Sequence, residues 1–319
     1  MKKVIYLLIF VILIGTYVII GEYKNEVKEA KEVIVLKDKN INEYYDIKIG
    51  DSVDSVIKKI DNPDRKDYSE YGFEWYVYNR FKNNFVMVGI ENDKVVGLYS
   101  NSINSTEMLD IKLGDEMDNI RKISKPIEYK KKGNTKFIIE SNNQFDIFIE
   151  DGKYITVFYD IHNESKAISY QIIDKVVENR TQHIYPKYSE ELKKSFEMQT
   201  IDLINSVRDK WGLKRLKLSG KASISSLKHS ENMKNENFFD HINKKNETPF
   251  DRMKKEHISY SLAGENIAAG QINAIYAHEA LMNSLGHRKN ILGDYDNIGV
   301  GVSFGGHYNV YYTQNFYSE

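Results

Sequence analysis

Two histidines and one glutamate occupy three short segments in the C-terminal third of the chain, all rich in glycine, asparagine or aromatic residues. His241 ends the run FFDH, Glu265 stands in GENI, and His287 lies in NSLGHRKNIL. Imidazole and carboxylate groups bind divalent ions and transfer protons, and each segment flanks a helix-like stretch. Because loops between packed elements often carry reactive groups, we interpret the three segments as turns that line one cleft.

Apolar residues recur at helical spacing in three stretches around these turns. They predict a long helix over residues 192–211, closed by Gly212, and shorter helices over 221–235 and 273–284. Alternating apolar residues over 298–314, with two glycines at the centre, predict a C-terminal hairpin. This half of the chain is therefore expected to be α+β, with helices around a small antiparallel sheet.

Composition limits the classes of protein to consider. A chain of 319 residues is long enough for two domains, and an apolar fraction of 41% is typical of globular proteins. The net charge of -1 provides no general attraction for nucleic acid, so no nucleic-acid partner is expected. The absence of cysteine excludes disulfides, thiolate zinc sites and cysteine nucleophiles.

The N-terminus predicts a membrane anchor. After Lys2 and Lys3, an uncharged run of 17 residues extends from Val4 to Ile20, and as a helix it would reach about 26 Å. We interpret residues 1–22 as an uncleaved transmembrane signal anchor with the bulk of the chain outside the cell. A cleaved signal peptide, giving a secreted protein, and a buried core helix are the alternatives. The charged residues 23–42 are expected to form a stalk.

An internal repeat with an offset of 64 residues follows the stalk. Residues 47–58 align with 111–122, and each copy predicts a helix with Asp51 or Asp115 as its N-cap. Strand-like alternation follows each helix, and the turn at Asp93 aligns with the turn at Asp151 in this interpretation. We expect an α+β domain of two helix-and-meander repeats over 43–178, a linker over 179–190 and a second domain over 191–319.

Six short motifs follow one another in a fixed order in the C-terminal half: FDH at 239–241, TPFDR at 248–252, GENIA at 264–268, MNS at 282–284, GHRKNIL at 286–292 and IGVG at 298–301. In this order and spacing they resemble the CAP domain of cysteine-rich secretory, antigen 5 and pathogenesis-related 1 proteins, in the cysteine-free bacterial form. The resemblance implies an α-β-α sandwich with a central cleft. The repeat region is similar to the CAP-associated domain that precedes CAP domains in some Gram-positive surface proteins.

The resemblance also implies the residues that line the cleft. Fuller members of the family use two histidines and two glutamates, which correspond here to His241, Glu265 and His287, with Ser284 in place of the second glutamate. The first three could hold a divalent ion such as zinc, calcium or magnesium. Each of them also has a purely structural interpretation, as a cap or a hydrogen-bonded core residue. His278 and His307 are expected at the surface or at an edge of the fold.

Three functions remain open at this stage. The resemblance favours a binding module of the cell envelope, whose partner is a small ligand, a lipid or an envelope protein. The second is a hydrolase, in which a metal on His241 and His287 activates water, or Ser284 attacks with His287 as its base and Glu265 orienting that base. The third is a purely structural protein of the cell wall.

Overall fold

The computed structural model describes the backbone of Val4–Leu7 together with residues 46–80 and 82–319. The described chain forms two compact units that divide between Lys187 and Tyr188. This division falls inside the segment 179–190 that was expected to be a linker, although the helix Lys175–Arg180 extends into its start.

The first unit contains a seven-stranded antiparallel sheet, a three-stranded sheet and three short helices. The large sheet has the order β2-β3-β4-β5-β10-β9-β8, and the small one has the order β1-β7-β6. The elements are β1 Val4–Leu7, α1 Val53–Ile60, β2 Arg65–Tyr68, β3 Glu74–Tyr78, β4 Val86–Glu91, β5 Lys94–Ser100, α2 Met117–Ile123, β6 Tyr129–Lys132, β7 Thr135–Ile139, β8 Phe145–Glu150, β9 Lys153–Asp160, β10 Lys166–Asp174 and α3 Lys175–Arg180.

Equivalent backbone hydrogen bonds identify the two repeats. Gly50 N donates to Val95 O and Gly114 N donates to Ala167 O, both at 2.8 Å. The strand that matches β5 is therefore β10, and the alignment of the Asp93 turn with the Asp151 turn was wrong. The turn that matches Asn92-Asp93 is Glu164-Ser165, and all four residues have positive φ. Neither Glu164 nor Ser165 is a glycine or asparagine, the residues that positive φ usually requires, so the sequence signal for this turn was weak.

The helix starts of the repeats also differ from the prediction by one residue. The N-cap of α1 is Ser52, whose hydroxyl accepts from Ser55 N, and the N-cap of α2 is Glu116. Asp51 instead accepts from Lys48 N at 3.1 Å, and its repeat partner Asp115 accepts from a backbone N–H at 2.7 Å. Both aspartates therefore close the turn before the helix.

The N-terminal segment is described only at Val4–Leu7, where the backbone is extended and pairs in parallel with Lys136–Ile139 of β7. A sheet edge offers unpaired backbone groups to an extended segment, which accounts for a strand where a helix was expected. The rest of the predicted anchor 1–22 and the predicted stalk 23–42 lie outside the described residues. Within the described part of the chain, no helix is both long and apolar enough to cross a bilayer.

The second unit has helices on both faces of a four-stranded sheet with the order β11-β13-β14-β12. The predicted helices and hairpin are present, and α6, α8, β11 and β12 are additional to the prediction. The elements are α4 Glu190–Lys210, β11 Lys217–Leu218, α5 Gly220–Glu236, α6 Pro249–Lys255, β12 Leu262–Ala269, α7 Ala274–Met282, α8 Leu285–Ile291, β13 Asn297–Phe304 and β14 Val310–Ser318.

Side-chain contacts distinguish the two faces of this sheet. On one face, Thr313 and Asn315 of β14 hydrogen bond to Ser230 and Ser225 of α5. On the other face, Tyr312 stacks on Phe196 of α4 with ring centroids 6.5 Å apart. Successive residues of a strand point to opposite faces, so this alternation defines an α-β-α sandwich.

Helix α5 lies unusually close to the sheet because two glycines face it. A Cβ atom added at Gly301 would lie 2.0 Å from Leu227 N, and one at Gly299 would lie 2.1 Å from Ala222 C. The hydroxyls of Ser226 and Ser230 donate to the carbonyls of these same glycines. The close approach fixes the position of α5, the helix that carries His229.

Candidate functional site

The side chain of Glu265 is the centre of a buried polar cluster in the second unit. Glu265 lies on β12, not in the turn that its glycine-containing run suggested, and it is only 1% exposed. Arg252 Nη2 donates to both carboxylate oxygens, at 2.9 and 2.7 Å, and His241 Nδ1 lies 2.9 Å from Oε1. Three elements of the chain thus meet at one carboxylate.

Arg252 is the residue of this cluster that sequence reasoning missed. It lies on α6, which begins with a capping box between Thr248 and Asp251. Its Nη1 donates to His241 O at 2.8 Å and to Glu247 O at 2.9 Å, so the guanidinium joins the His241 loop to β12. The capping-box pattern in TPFDR predicts the helix start, but the sequence does not reveal which carboxylate the arginine meets.

The charge of Arg252 determines the protonation state of Glu265. Burial alone would raise the pKa of this carboxyl, but the Arg252 charge lowers it to about 2, assisted by His229 and by the hydrogen bond from His241. A carboxylate held ionised by a bidentate arginine has little basicity left for taking a proton. Glu265 therefore acts as a fixed anion inside the unit.

His229 adds a second imidazole beside the same carboxylate. Its Nε2 lies 3.0 Å from Asp240 O and 3.9 Å from Glu265 Oε1. Burial lowers the pKa of His229 to about 4, so the ring is neutral at physiological pH. Because a carbonyl only accepts, Nε2 carries the proton, and Nδ1 has no hydrogen-bond partner among the described residues.

His241 leaves one ring nitrogen unused. The residue is 1% exposed, and its Nε2 is buried without a hydrogen-bond partner in the described part of the chain. Arg252 Nε is in the same condition. Buried polar atoms of native proteins are nearly always paired, so the three unpaired nitrogens of this cluster, on His229, His241 and Arg252, require an explanation.

Ser284 and His287 form a separate pair. Ser284 is the N-cap of α8, but its hydroxyl does not cap a backbone N–H of the helix. The hydroxyl oxygen lies 2.8 Å from His287 Nδ1 instead. Helix α8 continues through Gly286, which brings the two residues together. Burial, with a smaller contribution from the neighbouring His241, lowers the pKa of His287 to about 4.

A chain of amides connects this pair to the sheet. Asn266 Nδ2 donates to His287 O and to Gln314 Oε1, both at 3.1 Å. Asn290 Nδ2 donates to Glu265 O at 3.1 Å and to Asn266 Oδ1 at 2.9 Å. The two asparagines lie on β12 and α8 and bond these elements together.

The predicted metal ligands do not fit a metal site in this arrangement. Arg252 bonds both oxygens of Glu265 and His241 also bonds Oε1, so three of the roughly four lone-pair sites of the carboxylate are occupied and the adjacent guanidinium charge disfavours a cation there. Among the described residues no group of three or more histidine, aspartate or glutamate side chains could hold one. Two imidazoles alone fall short of the three protein ligands that catalytic zinc sites use.

The predicted serine triad is assembled only in part. Ser284 and His287 are in hydrogen-bond contact, as the hydrolase hypothesis requires. Glu265, however, orients His241 and not His287. The carboxylate was assigned to the wrong imidazole because sequence order cannot show that β12 points it to the α5 face of the sheet.

Comparisons with known proteins agree with this architecture. Residues 49–184 match the model of the CAP-associated N-terminal domain, and residues 201–316 match the model of the cysteine-rich secretory protein family. The Bacillus subtilis protein named uncharacterized membrane protein YlbC is 30% identical, with 97% of each chain covered. The B. subtilis protein YkwD is 43% identical over 34% of this chain and 42% of its own.

Two solved structures share the fold. An extracellular protein containing an SCP domain from Bacillus anthracis has a TM-score of 0.73 at 24% identity, with 91% of this chain and 99% of that chain covered. A cysteine-rich secretory protein from Staphylococcus aureus has a TM-score of 0.69 at 19% identity, covering 85% and 91%. The predicted resemblance is confirmed: the chain belongs to the CAP family of cysteine-rich secretory proteins and carries a CAP-associated domain before its CAP domain.

Proposed function

We propose that this protein is a ligand- or partner-binding module of the bacterial cell surface and that the polar cluster around Glu265 is its binding site. The observation that carries this proposal is the bonding of Glu265 to Arg252 and His241. A carboxylate fixed in this way serves neither as a general base nor as a metal ligand. The unpaired Nε2 of His241 remains available to a bound molecule.

The surface location is supported by two further observations. The uncharged run after Lys2 and Lys3 predicts a membrane anchor with the rest of the chain outside. The relative that matches 97% of the chain is named a membrane protein, and one structural neighbour is described as extracellular. These observations support membrane attachment through the N-terminal segment, with the two units outside the cell.

Co-sedimentation with purified envelope fractions tests the proposal. The chain is incubated with cell-wall sacculi and, separately, with membrane vesicles, and the bound fraction is measured beside two variants. His241→Phe should lower binding at least tenfold, whereas His307→Ala should leave it unchanged because His307 is exposed in the β13–β14 turn. Equal binding by wild type and His241→Phe would refute a role for the cluster.

A serine-type hydrolase is the second candidate, and the 2.8 Å contact between Ser284 Oγ and His287 Nδ1 favours it. In this candidate His287 takes the hydroxyl proton as Ser284 attacks an ester or amide carbonyl. A fluorophosphonate probe tests it, since an activated serine is labelled covalently. Labelling lost in Ser284→Ala would support a hydrolase, and absence of labelling in the wild type would remove this candidate.

A further inference from the structure

We propose that the second unit docks on an anionic lipid bilayer through an exposed patch formed by Trp211, Leu285, Arg288 and Lys289. None of these residues belongs to the Glu265 cluster, so the docking patch is a second interaction surface of the same unit. The inference rests on the proposed function only for the attachment of the chain to a membrane.

The docking patch begins on the outward side of α8. Leu285, Arg288 and Lys289 are spaced by three and four residues, so their side chains lie on one side of this helix. Leu285 is 65% exposed, Lys289 is exposed and Arg288 is half-buried. The other side, with His287 and Ile291, is buried in the unit. The helix therefore presents a leucine beside two cations.

Trp211 extends the patch to the end of α4. It is the C-cap of that helix and is 48% exposed. The guanidinium of Arg288 lies 5.6 Å from the centroid of its indole ring, a cation–π contact that joins α4 to α8. Arg208 Nη1 donates to the carbonyls of Ile291 and Gly293, at 2.9 and 2.7 Å, which holds the end of α4 against the segment after α8. The indole and the outward side of α8 therefore belong to one surface.

The exposed charges around this surface are mostly positive, although the whole chain has a net charge of -1. Segments 208–217 and 285–296 carry the indole and α8, and their fully exposed charged residues are Lys214, Lys217, Lys289 and Asp294. Lys214 pairs with Asp296 at 2.5 Å. Two exposed lysines and Arg288 thus outnumber the one exposed aspartate, and an anionic surface is the complementary partner.

The apolar members of the patch favour a bilayer over a soluble polyanion. A hydrated polyanion attracts the cations but gives Leu285 and the indole of Trp211 no apolar phase to enter. A bilayer offers headgroup charges to lysine and arginine, and an apolar boundary beneath them where tryptophan and leucine are favoured. Because the N-terminal segment holds the chain at the membrane, the local lipid concentration is high and a weak surface contact is sufficient.

Tryptophan fluorescence of the full chain tests the proposal. The chain has two tryptophans, and Trp75 in the first unit is 1% exposed, so lipid contact acts on Trp211. The emission of Trp211 is obtained as the difference between the wild type and Trp211→Phe. The chain is reconstituted into bilayers of phosphatidylglycerol and phosphatidylcholine whose brominated acyl chains quench indole. We expect this emission to fall by about half relative to unbrominated bilayers, and to fall less in brominated phosphatidylcholine alone.

Three variants separate the patch from general surface contact. Leu285→Ser and Lys289→Glu should each lower the quenching at least about twofold. Ile224→Ser is the matched control and should leave it unchanged, because Ile224 is 49% exposed on α5, on the opposite face of the sheet. Unchanged quenching in both patch variants, or equal quenching in phosphatidylcholine alone, would overturn the proposal.

Flotation of the same bilayers separates this inference from the proposed function. A chain that floats with the bilayers without quenching of Trp211 refutes the docking patch alone. A chain that fails to float refutes the membrane attachment, and its mixture with preformed brominated anionic vesicles then tests the patch by the same quenching. If Trp211 responds to cell-wall sacculi and not to these vesicles, the partner is a wall polymer and the lipid assignment is wrong.

Discussion

Each unit buries a glutamate whose pKa is lowered to about 2. The surroundings of the two carboxylates differ in how many buried polar atoms lack a hydrogen-bond partner. In the first unit Glu178 is bound by Lys132 at 2.7 Å, Lys130 at 3.0 Å and Tyr71 OH at 2.9 Å. In the second, Glu265 is bound by Arg252 and His241. Burial opposes ionisation in both, and the adjacent cations outweigh it.

The difference lies in the atoms around each carboxylate. Within the described residues, no buried side-chain nitrogen or oxygen of the Glu178 group lacks a partner, and Lys132 donates also to Thr181 at 2.7 Å. Around Glu265, His241 Nε2 and Arg252 Nε are both unpaired. A fully bonded ion cluster supports the fold, whereas one with unused atoms retains the capacity to bind. This difference supports a structural role for the first cluster and is consistent with the binding role proposed for the second.

The largest expected effect is common to both clusters and tests whether they are energetically alike. Arg252→Met and Lys132→Met each remove a buried cation that is hydrogen bonded to a buried carboxylate, which should destabilise the affected unit by about 3–5 kcal/mol. Urea unfolding followed by hydrogen exchange mass spectrometry resolves the two units. If the free energy of unfolding falls by less than about 1 kcal/mol in either variant, the carboxylate concerned does not depend on the removed cation.

Acid should act next most strongly, through His278. This residue was predicted at the surface or at an edge, but it is 0% exposed on α7, and neither ring nitrogen has a partner among the described residues. Burial, together with the charge of Lys210, lowers the pKa of His278 from 6.5 to about 3. The unfolded chain therefore binds the additional proton, and the stability of the second unit falls as pH drops from about 6.5 towards 3.

The acid effect of His278 can be separated from the binding proposed for the Glu265 cluster, because His278 lies outside that cluster. One pKa unit corresponds to about 1.4 kcal/mol, so His278 should account for roughly 3 kcal/mol once local opening is allowed for. His278→Leu should flatten the pH dependence of urea unfolding in the second unit. The variant should leave envelope binding unchanged, because His278 does not belong to the Glu265 cluster that we propose as the binding site. Reduced envelope binding by His278→Leu at neutral pH would contradict the assignment of binding to the Glu265 cluster alone.

A smaller effect is expected from Tyr71→Phe in the first unit. The variant removes one neutral donor from Glu178 while both lysines stay in place, so the expected loss is about 1–2 kcal/mol. Thermal unfolding measures the loss of stability in the first unit. The second unit, which the variant does not change, serves as the internal control. A loss as large as that of Lys132→Met would mean that the hydroxyl, and not the charge, holds the carboxylate.

The smallest effect on stability should accompany the largest effect on binding. His241→Phe removes one hydrogen bond to Glu265 but also removes an unpaired buried nitrogen, so the net change should stay within about 1 kcal/mol. The same variant should abolish the envelope binding that depends on the cluster. A large loss of stability would identify His241 as a structural residue, like the residues that surround Glu178.

Periodicity was sufficient to predict the outer helices of the second unit but not the strand that carries its site. Leu192, Phe196 and Leu203 mark one side of α4, which made that helix predictable. In β12 the adjacent Glu265 and Asn266 are both buried, one towards each helical layer, so the strand lacks the polar-apolar alternation of a half-exposed strand.

Burial of polar groups was the property that sequence could not supply. His278 lies between alanine and glutamate, which suggests an exposed position, yet every residue of α7 is buried. Arg252 was visible within TPFDR, but its bond to Glu265 joins residues 13 positions apart on different elements. Partners that meet only after the sheet and helices pack are set by tertiary structure, and no local pattern encodes them.

Calorimetric titration of the full chain with zinc, calcium and magnesium, in parallel with Glu265→Gln, tests the central claim most directly. If Arg252 and His241 occupy the Glu265 carboxylate, wild type and variant should give the same heats, with no one-to-one metal binding that depends on Glu265. Stoichiometric binding of any of the three ions by the wild type, lost in Glu265→Gln, would show that the carboxylate is a metal ligand and contradict the account.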